Sequence, residues 1–272
     1  MKTVLTIAGF DPSSGAGVTA DLMVFAAHGL FGTSCITSLT VQSTVGVLAA
    51  HAVSAEVVRA TLDCLWSDLA PVGIKIGMLG TAANVAAVAE FLGEVRRDGG
   101  KDVSVVLDPV LRSSSGRELL EMEGVRVLRE RLLPLVDWVT PNLDELGILT
   151  GRCVASREDV PEAALALQAA GGGLNVLATG GHLVQPDDLV VRRGGAVDWL
   201  AGERVETSST HGTGCALSSA LLCGLVGGME ARDAAEAAKR YVAEAMRSAA
   251  PLGKGRGPMH LLWPLDASII NS

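Results

Sequence analysis

The feature that most constrains this chain is the spacing of its short apolar runs. Residues 4–8 (VLTIA), 33–41 (TSCITSLTV), 72–76 (VGIKI), 102–107 (DVSVVL), 135–140 (LVDWVT) and 175–178 (NVLA) are brief and rich in branched side chains. Between them lie segments of helical length. In 54–68, Ser54 is placed as an N-cap, and Val57, Val58, Leu62, Leu65 and Trp66 recur at helical spacing. A strand that is apolar on both sides is buried on both faces, and strand–helix alternation supplies the two covering layers. The pattern predicts α/β architecture: a single doubly wound, mostly parallel sheet with helices on both faces. Residues 45–53 read as a further short or edge strand. Residues 189–193 and 196–200 read as a hairpin turning at Gly194-Gly195. The 272 residues suffice for one such domain, expected over 1–264, with 265–272 as a short tail expected to lack fixed structure.

Composition narrows the function classes. The formal net charge of -8 argues against a broad nucleic-acid footprint, while leaving room for a local phosphate pocket. The five cysteines (35, 64, 153, 215 and 223) are odd in number, scattered and without a CxxC pair, so they read as reduced thiols of a cytoplasmic protein. No segment approaches the roughly 18 apolar residues of a membrane span, and the N-terminal apolar run is too short for a signal peptide.

In open parallel sheets, ligands gather at the carboxyl ends of the strands. Several polar groups of this sequence fall there. Residues 209–215 (STHGTGC) form a glycine-rich turn that feeds the small, apolar helix-forming run 216–226. Unpaired N–H groups and the helix dipole at such a start favour an anion, and they would lower the thiol pKa of Cys215. The segment has a second reading, a structural loop in which Cys215 is a small buried hydrophobe. Residues 9–17 (GFDPSSGAG) match neither the dinucleotide nor the P-loop glycine pattern, yet three glycines and Asp11 before a helix suit close approach to a small ligand. Asp21, one turn into that helix, reads as a surface charge or as an acceptor aimed into a pocket, and the residues alone favour the surface. Asp108 ends a strand ahead of Pro109. Asn142 and Glu145 share one face of a first helical turn, where Glu145 reads either as a cap or as a ligand. Carboxylates converging on a phosphate-binding helix terminus are what Mg²⁺ with a nucleotide needs.

These motifs carry a resemblance. Thr6-Ile7-Ala8-Gly9-x-Asp11-Pro12-Ser13-x-Gly15-Ala16-Gly17-x-x-Ala20-Asp21 is followed by Lys75-Ile76-Gly77-Met78-Leu79, Asp108-Pro109-Val110 and Thr140-Pro141-Asn142-Leu143-x-Glu145. Gly180-Gly181-His182 and Thr210-His211-Gly212-Thr213-Gly214-Cys215 complete the set. From Thr6 to about His260 the chain resembles the hydroxymethylpyrimidine/phosphomethylpyrimidine kinases of thiamine biosynthesis, within the ribokinase-like superfamily. The resemblance implies ATP-dependent phosphorylation of 4-amino-5-hydroxymethyl-2-methylpyrimidine, and then of its monophosphate to the diphosphate. It implies that Asp21 and Gln42 hold the pyrimidine, with Gly9 and Met78 lining its pocket. Gly212, Thr213 and Gly214 would form the anion hole, with Cys215 as the base at the hydroxymethyl group. Asp108, Asn142 and Glu145, with Thr179 and Gly181, would serve the ATP phosphates, and Asp108 and Glu145 would hold Mg²⁺ through water. A homodimer is also implied, with no nucleic-acid or membrane partner.

The chain departs from the family pattern at Thr179, where a lysine is usual. It also reads Arg112-Ser113-Ser114-Ser115-Gly116 where members often carry a lysine, and Gln42-Ser43-Thr44 in place of Gln-Asn-Thr. Arg112 or Arg117 is the candidate replacement for the second cation, and 112–117 is the candidate lid. Two other readings compete: a pyridoxal kinase, and a non-catalytic pyrimidine-binding homologue. A sugar kinase is disfavoured because Cys215 stands where that branch has aspartate.

Overall fold

The computed structural model describes residues 1–113, 116–181 and 183–270. His182, the Ser114-Ser115 centre of the expected lid, and 271–272 of the expected tail lie outside the described residues. The strands are β1 (Thr3–Phe10), β2 (Phe31–Ser43), β3 (Gly46–Ala52), β4 (Gly73–Ile76), β5 (Ser104–Leu107), β6 (Trp138–Val139), β7 (Asn175–Ala178), β8 (Asp188–Val191) and β9 (Val197–Leu200). They form one sheet in the order β3-β2-β1-β4-β5-β6-β7-β8-β9. The stretch from β2 to β7 is parallel, while β3, β8 and β9 run antiparallel at the two edges. The doubly wound sheet and the hairpin at Gly194-Gly195 are therefore as expected.

The helices are α1 (Gly17–Ala27), α2 (Ala55–Leu69), α3 (Ala82–Arg97), α4 (Met122–Val127), α5 (Leu143–Thr150), α6 (Val160–Ala170), α7 (Thr213–Val226), α8 (Ala231–Arg247) and α9 (Trp263–Ile270). Period-2 alternation along the strands feeds two cores. Leu5, Ile7, Val105, Leu107 and Val176 face the layer of α2 to α6, whereas Val4, Val106 and Leu177 face α1, α7 and α8. Local chemistry sets several helix starts. The Thr81 hydroxyl accepts the Asn84 N–H at 3.2 Å, and Asn142 and Glu145 cap each other at the start of α5.

Three expectations shift. The run 135–140 yields only the two-residue β6, because a 3-10 turn containing Pro134 holds Leu133–Leu135. Asp102 belongs to a 3-10 turn, Gly100–Asp102, ahead of β5. Residues 263–270, which include most of the expected tail, are helical, and the Trp263 ring packs 5.9 Å from that of Tyr241.

On the α1/α7 face the apolar alternation breaks at Thr6 and Lys75, which are register partners on β1 and β4. Both are fully buried. That polar break lies under the carboxyl ends of the strands.

Ile76 is fully buried in the α2–α6 core, whereas Leu39 on β2 is 50% exposed. Ile76→Ala is expected to cost about 2–5 kcal/mol in urea unfolding and Leu39→Ala less than about 0.5. Equal costs would contradict the two-layer packing.

Candidate active site

A cleft of about 1,320 Å³ opens at the carboxyl ends of the parallel strands. Gly9, Met78, Asp108, Asn142 and Thr179 reach it from the ends of β1, β4, β5, β6 and β7, and the first turn of α7 closes one wall. Each predicted site residue lines this cleft except Asp21.

The start of α7 is built by glycine. Gly212, its N-cap, has φ +82°, and a side chain there would collide with the carbonyl oxygen of Gly15. Gly17 has φ +62° and lies against the Gly9 carbonyl in the same way. The loops 11–17 and 209–214 thus close on one another with backbone against backbone, and the first N–H groups of α7 face the cleft as an anion site.

Cys215 sits in that first turn. Its thiol lies beside the Asp108 carboxylate and the Gly17 N–H, which both act on its charge. The helix N-terminus led us to expect a lowered thiol pKa, and here the structure corrects the expectation. Burial pushes the thiol up to about 12, opposed by the ammonium of Lys75 and reinforced by Asp108 and Asp21. Desolvation outweighs the helix field because Cys215 is ringed by protein on all sides but the cleft.

Asp21 is the second correction. It is neither a surface charge nor a cleft residue but has no exposed surface at all. Its Oδ2 accepts the Thr6 hydroxyl at 2.6 Å, its Oδ1 accepts the Ser219 hydroxyl at 2.8 Å, and Lys75 Nζ bonds both oxygens at 3.0 and 3.1 Å. The carboxylate is saturated by protein donors, so a direct hold on a pyrimidine is not available to it. Lys75 was visible as a charge inside an apolar run and as the first residue of the Lys75-Ile76-Gly77-Met78-Leu79 motif, and no site role was assigned to it.

Asp108 is 5% exposed, and burial raises its pKa against the pull of Lys75. Glu145 accepts the Asn142 N–H at 3.0 Å and the Leu111 N–H at 3.3 Å, so the capping reading holds for it while it also lines the cleft. Burial and then the charge of Asp108 push Glu145 up to about 8. Two buried carboxylates, the charge of Asp108 raising Glu145, favour a nearby cation, and carboxylate oxygens are the donors magnesium takes. Both oxygens of Glu145 are already engaged, which suits contact through water.

Thr179 carries no cation, and another basic side chain lines the same cleft. Lys239 on α8 lines the cleft and bonds Asp188 Oδ2 at 2.7 Å, while Asp188 Oδ1 accepts the Gly180 N–H at 2.9 Å. Arg112 also lines the cleft, whereas Arg117 is drawn to the edge strand by the Leu48 carbonyl at 2.6 Å.

A clamp joins the two glycine loops. His211 Nε2 lies 2.7 Å from Asp11 Oδ2 and 2.9 Å from the Gln42 amide. One ring nitrogen carries at most one proton. If it is donated to Asp11, the Gln42 amide must present its oxygen to the ring. The Gln42 nitrogen then donates to Thr40 Oγ1, 3.2 Å away as the atoms are placed, and Thr40 passes its single proton to the Phe10 carbonyl at 2.9 Å. Neither His211 nor this use of Asp11 was foreseen from sequence, since the partners lie 200 residues apart. Burial acts to raise the pKa of Asp11, but the hydrogen bonds from His211 and Ser13 hold it below its usual 3.8. A depressed carboxylate pKa stabilises the fold above 3.8, and that contribution is lost as pH falls through the folded value. Asp11→Asn is expected to cost about 1.5–3 kcal/mol at pH 7, with the difference from the parent protein shrinking toward pH 2, in paired unfolding curves. An undiminished difference at pH 2 would exclude the charge as the cause.

The chain is similar to known proteins. Residues 11–260 match the sequence model of the phosphomethylpyrimidine kinase family. The hydroxymethylpyrimidine/phosphomethylpyrimidine kinase of Rhizobium meliloti is 44% identical over 264 residues, covering 94% of this chain and 95% of that one. The thiamine biosynthesis bifunctional protein ThiED of Geobacter sulfurreducens is 41% identical over 266 residues, covering 97% of this chain, and the chain spans 53% of that longer protein. Among solved structures, an ADP complex of Bacillus subtilis pyridoxal kinase superposes with a TM-score of 0.85 at 30% identity, covering 97% of this chain and 99% of that one. The matched span contains the strand-end carboxylates and the α7 start, and the chain belongs to the phosphomethylpyrimidine kinase family.

Proposed function

We propose that this chain is an ATP-dependent kinase that phosphorylates 4-amino-5-hydroxymethyl-2-methylpyrimidine, and then its monophosphate to the diphosphate, in thiamine biosynthesis. The observation that carries the reading is the convergence of Asp108, Glu145 and the first turn of α7 on one cleft, in a chain of this family. Phosphoryl transfer is mostly positioning and charge neutralisation, which such a constellation supplies.

In this reading Gln42 holds the pyrimidine through its amide, with Gly9 and Met78 as walls. Gly212, Thr213 and Gly214 offer backbone N–H groups to the transferring phosphoryl group. Cys215, in its thiolate form, takes the proton of the substrate hydroxymethyl group, the Gly17 N–H and Lys75 favouring that form against the burial that opposes it. Asn142, Thr179 and Gly181 flank the ATP phosphates, and Lys239 provides the cation that Thr179 lacks. Asp108 and Glu145 would hold Mg²⁺ through water, and the metal when bound would neutralise phosphate charge. We further propose that residues 1–264 act as one domain in the cytoplasm. A homodimer is supported by Leu39, Val41 and Leu48, which the edge hairpin leaves 50%, 48% and 79% exposed. Among the described residues no helix is long and apolar enough to cross a membrane.

A second reading, pyridoxal kinase, is favoured by the likeness to the Bacillus subtilis enzyme. Kinetics with the pyrimidine, its monophosphate and pyridoxal separate the two. The pyrimidine is expected to have the highest kcat/KM, and an equal or higher value for pyridoxal would reverse the assignment. Cys215→Ala is expected to lower kcat by about 100-fold or more. A rate within about threefold of the parent would sink the base assignment.

A further inference from the structure

Lys75 occupies a place where the sheet has no packing need for a charge. Its register partners are Thr6 on β1 and Val106 on β5, and Val4, Val106 and Leu177 make the rest of that face apolar. Its ion pair with Asp21 has no solvent exposure on either side chain. An apolar residue of similar volume would satisfy the packing without desolvating two ions, so stability alone does not account for the pair.

The ammonium is held toward the cleft. Its two bonds to Asp21 leave one N–H with no protein acceptor among the described residues. A side chain at Gly77 would place its Cβ 2.8 Å from Nζ and 3.2 Å from the Cβ of Ala8, a residue of the cleft wall. The charge therefore sits one residue layer above its own backbone, under the floor formed by Ala8 and Met78. Asp21 anchors it from α1, and Ser219 anchors Asp21 from α7 at 2.8 Å. Ser219 lies four residues after Cys215, on the same face of α7 and one turn deeper. Asp21 first, then Cys215 and Asp108, keep the ammonium charged against its burial.

We propose that Lys75 is a positioning residue for phosphoryl transfer. Clamped by Asp21, it supplies the buried positive charge that offsets the negative charge gathered at the α7 start, on Asp108 and on the transferring phosphoryl group. The inference rests on the kinase reading above. The charge acts through the low-dielectric floor and touches no substrate, so it favours the charge distribution of the transition state while leaving pyrimidine binding unchanged.

The test compares the parent chain with Lys75→Met/Asp21→Asn, which removes both charges together, and with Gly77→Ala, which keeps the charge but forces the ammonium to move. The double variant is expected to melt near the parent, to lose kcat by about tenfold or more and to keep the pyrimidine KM within about twofold. It is also expected to bind inorganic pyrophosphate at least about fivefold more weakly in calorimetry. Gly77→Ala is expected to lose kcat by about three- to tenfold at unchanged KM, and it decides the matter if the double variant does not fold. A kcat within about threefold of the parent in the double variant, or an unchanged kcat in Gly77→Ala, overturns the proposal. So does a loss of kcat that merely tracks a lowered melting temperature and a raised KM. A parent chain with no kinase activity would defeat the functional reading instead, and pyrophosphate affinity would then decide the role of Lys75.

Discussion

The buried pair of Asp21 and Lys75 is the interaction on which the site depends most. Placing two ions in a protein interior costs several kcal/mol each, and only close geometry with further hydrogen bonds offsets it. Here Thr6 and Ser219 provide those bonds, so one carboxylate ties β1, β4, α1 and α7 together. The price of that arrangement is intolerance: removing one partner alone leaves an uncompensated charge beneath the cleft floor. In exchange, the register of β1 against β4 and the seating of α7 are set by the same contact that places a cation under the site.

Above the pair, the loops 11–17 and 209–214 close with the Gly212 backbone against the Gly15 carbonyl. Gly17 and Gly212 hold left-handed conformations against opposing carbonyls. The clamp of His211 on Asp11 and Gln42 then fixes the loop orientation. Backbone contact alone gives a close approach but no directional restraint, and the clamp provides the latter. The same histidine connects the anion end of the cleft to the amide at its substrate end.

Much of this was legible in the chain. The strand-end positions of Asp108, Asn142, Glu145 and the 212–215 turn followed from short apolar runs and glycine punctuation, because ligand sites in parallel sheets form where strands end. The capping box at Asn142 and Glu145 was readable from a three-residue spacing. Asp21 was misread because a carboxylate one turn into a helix is ordinarily exposed, and nothing local announces a lysine 54 residues away. The lowered thiol expected for Cys215 also failed, since a helix field is local whereas desolvation is contributed by every neighbour in space.

The sequence by itself determined the layer architecture, the hairpin at Gly194-Gly195, several helix starts and the family, since each rests on periodicity or on residues close along the chain. Only the tertiary structure decided which charges meet. Lys75 with Asp21, His211 with Asp11, and Lys239 with Asp188 are pairings across 54, 200 and 51 residues. Such pairings follow from strand register and helix seating. They set the electrostatics of the cleft because in a low-dielectric interior the distance between charges, not their order in the chain, fixes their energy.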